Sequence, residues 1–335
     1  MKSSLAFGAR TSFEQARIVL IPVPWEVTTS GGEGTAQAAE KIREASSQMD
    51  FFQKSSLQAI NHLIHFEETD RELAHLNEIH CSLSKQIIDR MNKDLPLNEE
   101  QKKQIETINQ ACKHMTERVY TKAKQVFNKD KTPALVGGDH SVSEGLLRLI
   151  GEKEDFGLLH IDAHCDLRKA YQGFTHSHAS VMFNVLNHPS APQKLLQVGI
   201  RDFCEEEYKQ IQKDSRLISY FDEDMASRLF QGETWGKICE EIISQLPSKI
   251  YISLDVDGLE WTYSPGTGTP VPGGLTFNQV LFLLREIKRQ GKKLLSFDVV
   301  ETSAGSTEAE KALGHWNANV ASRLIYNLCD LTLKT

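Results

Sequence analysis

Three short stretches of the 335-residue chain concentrate residues able to hold hard cations: Asp139 and His140 in GGDHS, Asp162, His164 and Asp166 in DAHCD, and Asp255 and Asp257 in SLDVD. Side chains two apart on an extended chain point to one side, so the spacing predicts that Asp162, His164 and Asp166 share one locus and Asp255 with Asp257 another, with Cys165 turned away. Converging carboxylates raise one another's pKa and repel unless a counter-charge is present. If His140, Asp162, His164, Asp166, Asp255 and Asp257 form one set, two divalent ions balance its four carboxylates. Oxygen and imidazole donors without thiolate suit Mn²⁺, and Co²⁺, Ni²⁺, Fe²⁺ or Zn²⁺ would also be accommodated. One DxD pair after a strand is usually a turn or a helix cap. Three such clusters on one chain point instead to a dinuclear site, whose chemistry is hydrolysis at an electrophilic carbon or phosphorus by water of lowered pKa. On the residues alone, phosphoester hydrolysis competes with attack at carbon. No dinucleotide fingerprint accompanies the cluster, and the glycine-rich TTSGGEG at residues 28–34 lacks the phosphate-loop pattern, so it reads as a plain loop near a sheet edge or cleft.

The elements that must position these residues alternate. Apolar, β-rich runs at Arg17–Pro24, Ala134–His140, Phe156–Asp162, Leu195–Arg201, Leu217–Phe221, Lys249–Asp257 and Lys293–Glu301 read as strands, several buried on both faces of a parallel sheet. Helical spacing at Ser141–Leu149, Ser227–Gln245, Phe277–Arg289 and Asn317–Cys329 lies between them. The order implies a doubly wound α/β sheet with the three clusters at carboxyl ends of strands, where such sheets bind ligands. Residues 49–130 break the alternation, with helical periodicity interrupted at Leu95-Pro96-Leu97 and no convincing strand. They read as a helical excursion packed on the sheet, not as an independent domain.

Composition narrows the partners. A net charge of −7 with no sustained Lys/Arg block lacks the electrostatic footprint of nucleic-acid or anionic-membrane binding. No stretch reaches the length of a membrane span and the amino terminus has no sustained apolar core, so a cytoplasmic protein is expected. The six cysteines are scattered, without the spacing of a disulfide framework or a thiolate zinc site.

GGDHS at 137–141, DAHCD at 162–166, SLDVDGLE at 253–260 and SPGTGTPVPGG at 264–274 resemble, in order and spacing, the ureohydrolases: arginase, agmatinase, formimidoylglutamase and their relatives. The resemblance covers roughly residues 17–329, and IREAS at 42–46 looks like the family's amino-terminal helix. It implies one catalytic domain over residues 1–335 with an excursion at about 50–130, a three-layer α/β/α arginase-like fold around a mostly parallel sheet, two Mn²⁺ ions per subunit, and a homo-oligomer, trimer or hexamer. It assigns His140, Asp162, Asp166 and Asp255 to one metal and Asp162, His164, Asp255 and Asp257 to the other, with Asp162 and Asp255 bridging. Asp166 also counts among the catalytic residues. His178 in THSHAS aligns with the family's proton shuttle, with His176 two residues away, and Glu301 aligns with the glutamate that pairs with the substrate guanidinium. Asp139 would fix a backbone turn or orient a neighbour, and Ser253 would pack or hydrogen-bond.

Two departures, Glu260-Trp261 for the usual Asp-Pro and Ala179 for the glycine after the shuttle histidine, remove no ligand. PGTGTP looks most like agmatinase, whereas Arg168 stands where formimidoylglutamases tend to carry arginine. Arg168 would clamp a substrate carboxylate, make a salt bridge to a neighbouring acid or sit at a subunit contact. The expected function is a manganese-dependent hydrolase of a linear guanidino compound, agmatine to putrescine and urea first. Formimidoylglutamate, guanidino acids and arginine are the alternative substrates. A metal- or ligand-binding member without catalysis is the alternative of another class.

Overall fold

The computed structural model describes residues 5–54 and 56–333. In chain order its elements are β1 (Ile18–Pro22), α1 (Ala38–Ser46), β2 (Phe52–Gln53), β3 (Gln58–Ala59), β4 (Ile64–Phe66), α2 (Arg71–Met91), α3 (Glu99–Phe127), β5 (Thr132–Val136), α4 (Ser143–Lys153) and β6 (Gly157–Ile161). There follow α5 (Val181–Leu186), β7 (Lys194–Ile200), α6 (Glu205–Lys213), β8 (Leu217–Phe221), α7 (Asp222–Phe230), α8 (Trp235–Gln245), β9 (Lys249–Asp255), α9 (Phe277–Arg289), β10 (Lys293–Val300) and α10 (Glu308–Leu333). Eight strands pair in the order β4-β1-β5-β10-β9-β6-β7-β8, every ladder parallel.

Apolar strands make this a three-layer molecule because successive side chains feed opposite faces. Ile18 and Leu20 of β1 join one buried cluster, with Ile42 of α1, Ile242 of α8, Leu283 of α9 and Leu324 of α10. Val19 and Ile21 join the other, with Ile87 of α2, Met115 of α3, Leu146 of α4 and Met182 of α5. The α/β expectation therefore holds, with a helical layer on each face of the sheet.

Three local expectations change. The stretch expected to hold no strand contains β4, which pairs in parallel with β1 through Ile18–Ile64, Val19–His65 and Leu20–Phe66, as well as the small antiparallel β2–β3 pair. Three residues give too short a run for alternation to register, and edge strands are often this short. The helix expected at 227–245 is two, because Gly232 turns at φ +89° and Thr234 caps α8 through the Lys237 N–H. Short helices α5 and α6, unmarked by periodicity, also appear between strands.

The excursion is built on strong helix starts. Asp70 accepts the Glu72 and Leu73 amides to open α2, and Asn98 with Gln101 forms a capping box to open α3. Both helices bury their apolar stripe in the second cluster, where α3 also packs on α4. Among the described residues no helix is long and apolar enough to cross a membrane.

At the α3–α4 crossing, a Cβ on Gly145 would lie 2.4 Å from the Thr116 carbonyl oxygen and 2.9 Å from the Tyr120 nitrogen, both backbone atoms unable to swing away. Gly145→Ala is therefore expected to pry α4 from α3 and cost about 1–3 kcal/mol. Urea unfolding followed by circular dichroism should show a lower midpoint at unchanged slope; an unshifted midpoint would mean that the crossing tolerates a methyl group.

Candidate metal centre and cleft

Four adjacent central strands, β5, β10, β9 and β6, deliver the candidate residues from their carboxyl ends. After β5, Gly137 and Gly138 turn the chain at φ +77° and +81°. A Cβ on Gly138 would sit 2.7 Å from the Val23 carbonyl oxygen, so glycine alone fits. Asp139 then caps a turn at His140–Val142, accepting the Ser141 amide and hydroxyl on Oδ1 and the Thr28 amide and hydroxyl on Oδ2. After β9, Asp255 caps the next turn by accepting the Asp257 amide at 2.8 Å. The Ala163 amide donates to Asp257 Oδ1 at 3.1 Å, which ties the β6 and β9 loops together.

DAHCD converges for a reason other than strand alternation. The ladder of β6 ends at Ile161, so residues 162–166 are loop rather than strand. Asp162 Oδ1 accepts the His164 amide at 2.6 Å, and Asp166 takes a left-handed backbone at φ +55°. Turn geometry, not a period of two, brings the three side chains together. Cys165 does point away, into the second apolar cluster.

The structure gathers all six residues named from spacing. His140 Nδ1 lies 3.0 Å from Asp162 Oδ2, 3.1 Å from Asp166 Oδ2 and 3.3 Å from Asp255 Oδ2. His164 Nδ1 lies 3.1 Å from Asp257 Oδ2 and 3.4 Å from Asp162 Oδ1. Two groups able to hold a metal thus share Asp162. Burial, then Asp257 and Asp162, push the Asp255 carboxyl far above its ordinary range, and burial with Asp162 pushes Asp166 up to about 6. Burial disfavours charge on His164 as well, yet Asp257 and Asp162 raise its pKa to about 12.

A hydrogen-bond chain shows that the site suits metal. Tyr251 donates to Asp298 Oδ2 at 2.6 Å and Ser253 to Asp298 Oδ1 at 2.8 Å. With its proton committed, Ser253 Oγ accepts from His140 Nε2 at 2.9 Å, which puts the proton of a neutral imidazole on Nε2. The Nδ1 lone pair then faces three carboxylate oxygens; this buried atom has no hydrogen-bond partner among the described residues. A divalent cation would satisfy all four donors at once.

Sequence reading missed His160, which lies buried in β6 with Nε2 2.7 Å from Asp162 Oδ2. Gln197 donates from Nε2 to the Cys165 carbonyl and accepts Ser219 on Oε1, so the same Nε2 meets His160 Nδ1 as a donor. His160 therefore carries its proton on Nε2 and donates to Asp162: it braces the carboxylate, with no lone pair to offer a metal. A lone histidine in the apolar run GLLHI was the available signal.

The cleft above the cluster is lined by His164, Asp166, Arg168, Tyr171, His178 and Asp202, among others. His178 lies in its wall: its amide donates to Thr28 Oγ1 at 3.2 Å and its buried Nδ1 has no partner among the described residues. Burial first, then His164 and His140, lower its pKa to about 3, so the imidazole is neutral. His176 is occupied elsewhere, with Nδ1 2.9 Å from Glu144 Oε2. Glu301, after β10, is buried in a left-handed conformation at φ +58°, accepts the His140 amide on Oε1 at 2.8 Å, and has its pKa raised by burial and by Asp139. Arg168 Nε lies 3.6 Å from Glu207 Oε2 and its guanidinium 4.9 Å from the Tyr171 ring centre. Asp202 has its side chain 68% exposed, 4.0 Å from His164 Nε2, with no arginine or lysine paired to it among the described residues.

A model described as the Arginase family matches residues 16–329. The chain is 30% identical to the N(1)-aminopropylagmatine ureohydrolase of Thermus thermophilus, over 98% of this chain and 94% of that protein. It is 25% identical to the agmatinase of Bacillus subtilis, over 95% and 92%. The solved agmatine ureohydrolase of Thermoplasma volcanium has the same fold, with a TM-score of 0.72 at 21% identity, over 100% of this chain and 95% of that one.

Asp255→Asn is expected to lower bound divalent metal below two ions per chain and to reduce hydrolysis at least a thousandfold, because it removes a buried charge 3.3 Å from His140 Nδ1. Metal analysis by plasma emission alongside turnover checks this, and two retained ions at an unchanged rate would take Asp255 out of the centre. Stripping metal from the parent protein with a chelator should lower its thermal midpoint by several degrees, reversibly on adding Mn²⁺.

Proposed function

The chain belongs to the arginase family, and we propose that within it this protein is a dinuclear manganese-dependent hydrolase of linear guanidino compounds with a cationic tail, agmatine or an aminopropyl-extended agmatine, releasing urea and an amine. His140, Asp162, Asp166 and Asp255 would hold one ion and Asp162, His164, Asp255 and Asp257 the other, with Asp162 and Asp255 between them. When bound, the pair supplies the Lewis acidity that brings a water's pKa near neutrality.

The remaining steps fall to side chains of the chain itself. Glu301 keeps Oε1 on the His140 amide and leaves its second oxygen to accept guanidinium N–H groups, a charge-assisted contact that orients the central carbon over the cluster. Asp166 belongs to both cluster and cleft, which suits it to take the proton of the attacking water. His178, neutral and with Nδ1 unpartnered, is suited to accept that proton in turn and hand it to the departing amine.

One observation carries the choice of tail: Glu207 already faces Arg168, whereas Asp202 stands exposed at the same mouth with only the His164 ring beside it, at 4.0 Å. An ammonium finds a partner there, and a carboxylate tail meets a guanidinium already engaged. The names of the Thermus thermophilus and Bacillus subtilis relatives agree with that tail. The reading carries with it a cytoplasmic homo-oligomer, a trimer or hexamer.

The test is product release by Mn²⁺-loaded protein from agmatine, N(1)-aminopropylagmatine, arginine, guanidinobutyrate and formimidoylglutamate in parallel. Urea should come fastest from the two amine-tailed compounds, and preference for formimidoylglutamate or guanidinobutyrate would overturn the assignment of the tail. Asp202→Asn should raise KM for the preferred amine about two- to fivefold while kcat stays within twofold, in keeping with the modest strength of exposed charge pairs.

A further inference from the structure

One wall of the cleft is a miniature β-hairpin. Tyr171 and Phe174 exchange both backbone hydrogen bonds, at 3.0 and 2.9 Å, around Gln172 and Gly173 at φ +51° and +84°, the positive pair of a type I′ turn. Its first residue matters to the site: the Tyr171 ring stands edge-on to His178 with centroids 5.8 Å apart, and 4.9 Å from the Arg168 guanidinium on its other side. A hairpin this small does not hold its shape in water unaided.

Its support comes from the excursion. Asn109 of α3 donates from Nδ2 to the Gly173 carbonyl at 3.1 Å and accepts the Thr175 amide on Oδ1 at 2.9 Å. The first partner can only accept and the second only donate, so the pair demands a primary amide and fixes its orientation. Asn92, at the end of α2, accepts Gln172 Nε2 at 2.8 Å, and Ile105 of α3 packs under Gly173. One of the two helices, α2, also holds the loop that carries Thr28. Asn77 of α2 accepts the Glu26 amide at 2.7 Å and Lys85 pairs with Glu33 at 2.8 Å, bracketing Thr28, whose hydroxyl accepts the His178 amide.

We propose that Asn109 is a positioning residue for substrate, acting through the Tyr171 hairpin, and that the α2–α3 excursion serves as the frame that sets the width of the cleft. Asn109 touches neither metal-binding groups nor the reacting atoms; it fixes where Tyr171 stands, and thereby the orientation of Arg168 and the room beside His178. The inference rests on the reading of the cleft as a guanidino-substrate site.

Kinetics of Asn109→Ala and Asn109→Asp test it, together with amide hydrogen exchange over residues 171–176. Asn109→Ala should raise KM for the preferred guanidino substrate about five- to twentyfold with kcat within threefold, at unchanged metal content, and should speed exchange in that segment. Asn109→Asp, which keeps the bond from Thr175 and loses the one to Gly173, should fall between parent and alanine. In a double-mutant cycle with Tyr171→Ala, the KM effect of Asn109→Ala should largely vanish, since one acts through the other. An unchanged KM, or effects that add in full in the cycle, would overturn the proposal. If the parent protein hydrolyses none of the guanidino compounds, the substrate reading falls and exchange alone judges the clamp: unchanged protection of 171–176 in Asn109→Ala would then refute it.

Discussion

Four carboxylates and two imidazoles packed into one buried pocket set the central constraint on this molecule. Such a group is stable only if its charge is balanced, and the surrounding contacts are arranged to keep the residues apart from every cheaper partner. Among the described residues no arginine or lysine side chain is paired with these carboxylates. His140 is committed by its second nitrogen, through Ser253 and Asp298, so that Nδ1 is left facing the carboxylates. Asp162 is braced by His160, itself oriented by Gln197. A pocket prepared in this way is suited to a divalent cation.

The architecture and the centre's six residues were legible in the sequence because both are written in local chemistry. Runs such as IVLIP and KIYISLD announce buried parallel strands, and acids and histidines at their ends have no packing reason to be there. What escaped was whatever depends on partners remote in the chain. β4 is a strand only because β1 lies beside it, and Arg168 reads equally as a carboxylate clamp or a salt-bridge partner until Glu207 is seen facing it. The convergence of DAHCD was anticipated on a wrong ground: strand alternation was assumed where a left-handed turn at Asp166 does the work. His160 was passed over because a lone histidine in a strand carries no spacing signal.

Two of the strained backbone positions lie at the candidate site. Asp166 and Glu301 both hold left-handed conformations that side-chain-bearing residues seldom adopt, and each is clasped by neighbours on several sides. The Met182 and Phe183 amides both donate to the Asp166 carbonyl, and the Glu301 amide donates to Gly138 while its own carbonyl accepts Thr267. Conformational energy is spent to aim two carboxylates, and the two apolar layers supply the stability that permits it.

The strand order has a consequence for how the protein comes into being. β5 and β6 are near neighbours in sequence, yet in the sheet they are parted by β9 and β10, which are made much later. A growing chain presents His140 and Asp162 early, but the strands bearing Asp255 and Glu301 must slide in between before those residues face one another. Such late, long-range insertion is slow, and it leaves two half-sheets with unpaired edges until the last strands arrive. Metal capture is in this sense a receipt for completed folding: the nascent chain holds only fragments of the site, and the full cage exists once the carboxyl-terminal third has closed the gap.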